Sequence, residues 1–407
     1  MADFAKALGS FYRKHSLLVN ILLIALILRL AYLNAIASMI FDENFYIPAA
    51  KQILAAGTDP NIEHPPLAKF ILAASIWLFG DSPLSWRVFP VLFGLAAATF
   101  FYFTVLELTR NKRLAALSAA LLAFDPLNLV FSRIAMLDVF MLAFMLGGVY
   151  FALKRDWSLS GFLFGLGIAS KWPAVLGLLA VAAFLYFRKN LRPADAAYLV
   201  VIAALTYVLV CTPLIVQQGP AEWASSQIYN IGKTSGIPTA NEQASVAWEW
   251  LYLQKPVWLT WNKPDFAPPA DLLWLTNILG GTPALGVVAF GNPVFWIPGL
   301  LAMLWLALNK AKKISGVRLF AVLWFLCTYV PFLLLQRTHM FIYYMLPVLP
   351  AYALALSQLL ESKKLMKWYL AVLALSLIVF LPIIVGLPAP DWYYAALRPL
   401  IGVHPIA

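Results

Sequence analysis

Apolar runs of about 20 residues recur from one end of this sequence to the other, each long enough to cross roughly 30 Å of hydrocarbon as a helix. In lipid every backbone N–H and C=O must find its partner within the chain, which leaves helices or a closed barrel. Continuous apolar runs, rather than alternating ones, select the helix. Composition agrees, since 63% of the 407 residues are hydrophobic and only 12% are charged, far from an ordinary soluble domain. The expected fold class is therefore an all-α polytopic membrane protein.

The runs predict about 11 spans, near 16–37, 84–108, 113–131, 138–153, a pair of short helices between Trp157 and Lys189, then 196–214, 282–308, 317–335, 340–360 and 366–387. We expect one membrane domain over 1–407, with a first outer loop at 38–83 and a main outer loop at 215–283. The first run is longer than a signal-peptide core and is expected to be retained. Arg29 within it is expected to snorkel outward. Cys211 and Cys327 both lie in apolar segments, where a thiol reads as a small packing residue rather than as half of a disulfide framework.

The net charge of +11 raises the question of nucleic acid, but most of the 29 Lys and Arg residues punctuate the spans on one side. That distribution is the signature of membrane orientation and predicts a cytoplasmic N-terminus, with no nucleic-acid partner. No period of 20 to 50 residues indicates a repeat architecture.

Against this background the stretch from Phe41 to Lys69 stands out. It holds Asp42, Glu43, Tyr46, Lys51, Glu63, His64 and Lys69 in a chain otherwise poor in charge, and ionisable groups clustered at one membrane depth are a functional-site hypothesis by default. A helix is expected from Asp42 to a stop at Gly57, and a second from Pro65–Pro66 to Gly80, the latter on or partly within the membrane surface. Adjacent carboxylates at a helix start also have a plainer explanation, since they satisfy free N–H groups and the helix dipole. Metal binding through His64, Glu63 and Asp42 would suit a loosely held divalent cation better than a closed zinc site. Arg87, Arg133, Lys171 and Arg337 each fall near the outer end of a span, as headgroup anchors do. Together with Lys69 they also make a setting for a phosphate leaving group. Asp138 is expected to pair with Arg133 or to orient a neighbour, and Asp125 to cap a helical restart. Tyr343, Tyr344 and the rings between Trp248 and Trp261 read either as an interfacial belt or as a substrate surface.

One carboxylate base with several cations fits transfer of a sugar from a lipid phosphate, because that leaving group needs no protonation. A glycosidase would need a second carboxylate to protonate an alkoxide. The competing class, a transporter or flippase of an anionic solute or lipid, would place charges near the midplane within repeated halves.

The residues resemble those of the protein O-mannosyltransferase family of the C-type glycosyltransferase (GT-C) superfold, which also contains the lipid A aminoarabinose transferases. The resemblance rests on Phe41-Asp42-Glu43, His64-Pro65-Pro66-Leu67 with Lys69, Arg87, Ser132-Arg133 with Leu137-Asp138, and Ser170-Lys171-Trp172. It continues through Gly291-Asn292-Pro293-Val294-Phe295-Trp296 and Tyr343-Tyr344-Met345-Leu346-Pro347 after Arg337. It implies transfer of mannose from a polyprenyl (dolichyl) phosphate donor to Ser/Thr hydroxyls of a protein or peptide acceptor at the outer face of the cell membrane, with no required cofactor or metal. By position it makes Asp42 the catalytic base and Glu43 a positioning residue, with Glu63, His64, Asp138, Tyr343 and Tyr344 near the substrate. It makes Arg87 the donor-phosphate ligand, with Lys69, Arg133, Lys171 and Arg337 as helpers. A lipid or glycan acceptor stays open, as does a homo- or heterodimer. The main outer loop is too short for the sugar-binding-type MIR domain of eukaryotic members, as expected of an archaeal or bacterial relative.

Overall fold

The computed structural model describes residues 2–233, 242–261, 272–309, 315–335, 340–360 and 362–402. Its first half runs α1 (Ala2–Leu30), α2 (Glu43–Ala56), α3 (Leu67–Phe79), α4 (Pro83–Thr109), α5 (Lys112–Ala123), α6 (Pro126–Phe131), α7 (Leu137–Leu153), α8 (Trp157–Ser170), α9 (Ala174–Phe187), α10 (Pro193–Gln218) and α11 (Pro220–Lys233). The second half holds a 3₁₀ turn at Ala247–Tyr252, β1 (Val257–Trp261), α12 (Trp274–Leu279), β2 (Pro283–Ala284), β3 (Gly286–Ala289), α13 (Pro293–Leu308) and α14 (Gly316–Leu334). It closes with a second 3₁₀ turn at Ile342–Met345, α15 (Leu349–Leu359), α16 (Lys363–Val385), β4 (Ala389–Pro390) and α17 (Asp391–Ile401).

The chain is a multi-pass, mostly helical membrane protein. Five described segments are long and apolar enough to cross a bilayer unaided, namely Gly9–Leu30, Pro83–Thr109, Pro193–Gln218, Gly316–Leu334 and Lys364–Val385. Six shorter apolar helices accompany them, among them α7, α8, α9, α13 and α15, so helix length alone does not establish a count of 11. The centre is α7, buried almost throughout, with the inner faces of α5 and α15. The outer helices keep Leu205, Leu209, Val216, Leu375 and Ile378 exposed, as a surface facing lipid requires.

Where lipid is as apolar as the side chains, helices associate through close packing, and small residues set how near they come. Gly161 and Gly165, one turn apart on α8, meet α10 in this way. A Cβ on Gly165 would fall 2.6 Å from the Ala203 carbonyl oxygen, and one on Gly161 would fall 2.9 Å from that of Leu199. Gly165→Val is therefore expected to force the two helices apart, destabilising the protein by about 1–3 kcal/mol. A fall in the thermal unfolding midpoint in detergent would report it, and an unchanged midpoint would show that the contact is loose.

Several expectations need correction. Arg29 does not snorkel. It is fully buried and donates to Ser132 Oγ (2.7 Å) and to the carbonyls of Ala25 (3.2 Å) and Ala123 (3.1 Å). The α5–α6 break leaves carbonyls without helical donors, and a guanidinium satisfies one of them better inside than it would outside. The run at 282–308 is not one helix, because β3 occupies its start, pairing antiparallel with β1, and α13 begins only at Pro293 behind the Asn292 cap. The run at 340–360 likewise opens with a 3₁₀ turn and becomes α-helical at Leu349.

Candidate active site

The first outer segment is built as its sequence suggests. α2 starts behind Asp42 and stops at Gly57, whose φ of +67° is the left-handed conformation that glycine adopts at little cost. α3 follows Pro65 and Pro66 and stops at Gly80. Asp42 occupies the N-cap position of α2, yet its side chain makes no capping hydrogen bond. Capping of free N–H groups therefore does not account for this carboxylate.

The two members of the doublet are treated in opposite ways. Glu43 is fully buried and its oxygens are committed, one accepting from Arg87 Nε (3.0 Å) and the Ala135 N–H (3.0 Å), the other from Arg87 Nη2 (2.8 Å) and the Ile40 N–H (3.0 Å). Asp42, only half-buried, accepts one long hydrogen bond at Oδ2 from the Tyr46 hydroxyl (3.4 Å). Burial is the largest influence on this carboxyl and, with help from the negative charge of Asp138, pushes it up to about 6 against the opposing Lys171 charge and Tyr46 bond. A carboxylate raised toward neutrality is a stronger base than a free aspartate while still mostly ionised at pH 7.

Asp138 enters from the first turn of α7, and Lys171 from the break between α8 and α9. Lys171 donates to both Asp138 oxygens at 2.8 Å, and its ammonium lies 5.1 Å from the Tyr343 ring centre and 5.5 Å from that of Tyr344. Tyr343 in turn meets Phe41 edge-on at 6.1 Å, which closes a ring of groups around Asp42. The expected Asp138–Arg133 pairing is thus replaced by Asp138–Lys171, because Arg133 is occupied elsewhere.

Arg87, Arg133 and Lys69, also expected at the phosphate, are held by partners of their own. Arg87 spends all five N–H groups, two on Glu43 and three on the carbonyls of Leu33 (3.1 Å), Ile36 (2.8 Å) and Ser38 (3.2 Å). Arg133 donates to the Leu28, Arg29 and Ala31 carbonyls at 2.6 Å and to that of Val385 at 3.1 Å. It therefore caps the end of α1 and ties it to α16, where a cation also suits the helix dipole. Lys69 is fully buried, paired with Asp59 at 2.5 Å and bonded to the carbonyls of Asn61 and His64. It holds its own loop together. Glu63 is exposed, His64 packs edge-on against Tyr46 at 5.9 Å, and Arg337 lies outside the described residues.

Sequence reasoning missed Asp59, whose position before Pro60 gave no hint of a partner ten residues on. It also left Asp125 as a bare cap. Its carboxylate does cap α6 through the Leu127 N–H (3.1 Å), and it also accepts Trp296 Nε1 (2.9 Å), joining that helix break to the Gly291-Asn292-Pro293 run. No cluster of three or more His, Cys, Asp or Glu side chains suited to a metal occurs among the described residues.

Residues 63–216 match the family described as dolichyl-phosphate-mannose-protein mannosyltransferase. The chain is 24% identical to a polyprenol-phosphate-mannose–protein mannosyltransferase of Corynebacterium glutamicum, over 89% of this chain and 88% of that one. A Mycolicibacterium smegmatis protein of the same description is 33% identical over 111 residues, 26% of this chain and 22% of its own length. Among solved structures, the Saccharomyces cerevisiae protein O-mannosyltransferase Pmt1-Pmt2 complex bound to the sugar donor superposes with a TM-score of 0.64 at 13% identity, covering 96% of this chain and 92% of that one. ArnT from Cupriavidus metallidurans bound to undecaprenyl phosphate gives 0.58 at 18% identity, covering 88% of this chain, which spans 62% of the ArnT chain. At such identities the structural likeness is one of fold. The chain has the fold of the GT-C membrane glycosyltransferases, and its residues 63–216 are similar to the dolichyl-phosphate-mannose-protein mannosyltransferase family.

Proposed function

We propose that the chain transfers mannose from a polyprenyl-phosphate donor to Ser or Thr hydroxyls of proteins, by one displacement that inverts the anomeric centre. The observation that carries this reading is the division of labour in the Asp-Glu doublet, in which Glu43 is wholly committed to Arg87 and backbone while Asp42 keeps an oxygen uncommitted beside a cation. The acceptor oxygen attacks the anomeric carbon, Asp42 takes its proton, and the bond from that carbon to the phosphate oxygen breaks. The departing polyprenyl phosphate keeps the electron pair as an anion and needs no proton.

We assign the phosphate to Lys171, because its ammonium is the described cation that acts on Asp42. Its bonds to Asp138 are exchangeable for bonds to a phosphate oxygen, whereas the Arg87 network is closed. Arg87 then acts through Glu43, which pins the Ile40 and Ala135 backbone on either side of the base. Placing the basic inter-span loops in the cytoplasm puts this pocket on the extracytoplasmic face of the cell membrane. The similarity to a polyprenol-phosphate-mannose–protein mannosyltransferase and to the donor-bound Pmt1-Pmt2 complex supports the same donor class.

The test is incubation of the purified native chain with polyprenyl-phosphate mannose and a Ser/Thr-rich peptide across pH. Because the base works as its carboxylate and its pKa is raised to about 6, transfer is expected to fall away as pH drops through about 6 and to level off above about 7. Peptide that stays free of mannose at every pH would overturn the reading. Solute uptake or lipid flipping in vesicles without transfer would favour a carrier instead.

A further inference from the structure

Tyr46 lies one helical turn after Asp42 on α2, and it is 2% exposed beneath the half-buried His64 ring. Its hydroxyl reaches Asp42 Oδ2 at 3.4 Å, and among the described residues Oδ1 carries no hydrogen bond. His64 is fixed in its turn, because its carbonyl accepts from Lys69 Nζ (3.0 Å), and Lys69 is locked to Asp59. The loop end at Asp59 is itself tethered to α10, its N–H donating to Gln217 Oε1 at 3.0 Å. A continuous set of contacts thus runs from α10 through the 59–64 loop to the base.

Resting on the reading of Asp42 as the base, we propose that Tyr46, pressed into place by His64, is a positioning residue. It ties Oδ2 of Asp42 so that Oδ1 is the oxygen presented to the acceptor hydroxyl. This gives the buried Lys69–Asp59 pair a purpose that phosphate binding does not supply. That pair shapes the loop whose His64 ring holds Tyr46. The groups acting on Asp42 are Tyr46 from its own helix, Asp138 from α7 and Lys171 from the α8–α9 break. Tyr343 and Tyr344, from the 3₁₀ turn, close the far side.

A hydroxyl that donates to the ionised carboxylate favours its charged form. Tyr46→Phe removes that bond while keeping the ring under His64, so the carboxyl should hold its proton to higher pH, by about half a unit or more. The measurement is an infrared pH titration of the Asp42 carboxyl, its band identified by its disappearance in Asp42→Asn. Expected are an upward-shifted midpoint in Tyr46→Phe and a smaller shift in the same direction in His64→Ala, where the hydroxyl is intact but loosely held. In the transfer assay the acid limb should move the same way, and misplacement of the base should lower kcat about tenfold on the neutral and alkaline plateau as well, with donor KM within about twofold. A midpoint unmoved in Tyr46→Phe overturns the proposal. Absence of transfer by the native chain would sink the mannosyltransferase reading and leave the infrared result to judge Tyr46 by itself.

Discussion

Asp42→Asn is expected to lower mannose transfer by about 10²- to 10⁴-fold while leaving donor affinity within a few-fold of the native value. The amide has the shape of the carboxylate and can still accept from the Tyr46 hydroxyl at 3.4 Å, but it cannot take a proton at neutral pH. The acceptor oxygen would then have to attack while still carrying its hydrogen. An interaction made only in the transition state lowers kcat and kcat/KM together and spares binding. The change also removes a negative charge beside Lys171 and Asp138, which should leave Lys171 at least as free to meet a donor phosphate. Single-turnover transfer to a peptide, paired with equilibrium binding of the lipid donor, separates the two effects. Retained turnover would remove Asp42 as the base, whereas lost donor binding would mean that it holds substrate instead.

Most of the fold was legible because helix spans and their stops follow from local rules. The Gly57 and Gly80 stops and the Pro65–Pro66 start came out where the residue types put them, as did the Ser170-Lys171 break between α8 and α9. The misreadings arose where hydropathy is degenerate. β3 is as apolar as a helix, so Gly286–Ala289 vanished into a supposed span, and only pairing with β1, some 30 residues earlier, makes it a strand. The cluster around Asp42 was legible as a concentration of charge, but its division of labour was not. Lys69, Arg87, Arg133 and Lys171 look alike in sequence, and what distinguishes them is which carbonyls lie within reach. Arg133 meets the unfinished end of α1 and Arg87 meets the turn after it. Those are tertiary accidents of where helices end, and no spacing rule encodes them.

The pair behind the base should carry the largest stability effect in the molecule. Glu43 and Arg87 are joined by two parallel hydrogen bonds of 3.0 and 2.8 Å, and both are almost wholly buried. Arg87→Leu strands the Glu43 carboxylate with only the Ile40 and Ala135 N–H groups, and removes the donors of three carbonyls. Breaking a buried pair from one side costs about 3–5 kcal/mol, because the remaining charge is left without a counterpart. Glu43→Met should cost a similar amount by stranding the guanidinium. The double replacement leaves neither charge, so it should be less destabilised than the two single losses added together, with a coupling of about 1–3 kcal/mol. Recovery stays partial, since the Ile40 and Ala135 N–H groups and the three carbonyls still lack their partners. Denaturation of the four proteins in detergent measures the cycle. Strict additivity would mean that each side chain serves the backbone alone and that the ion pair adds nothing. Activity distinguishes the roles further. If Arg87 works through Glu43, the double variant that regains stability should still transfer poorly, because the Ile40 and Ala135 segments that flank Asp42 are no longer held.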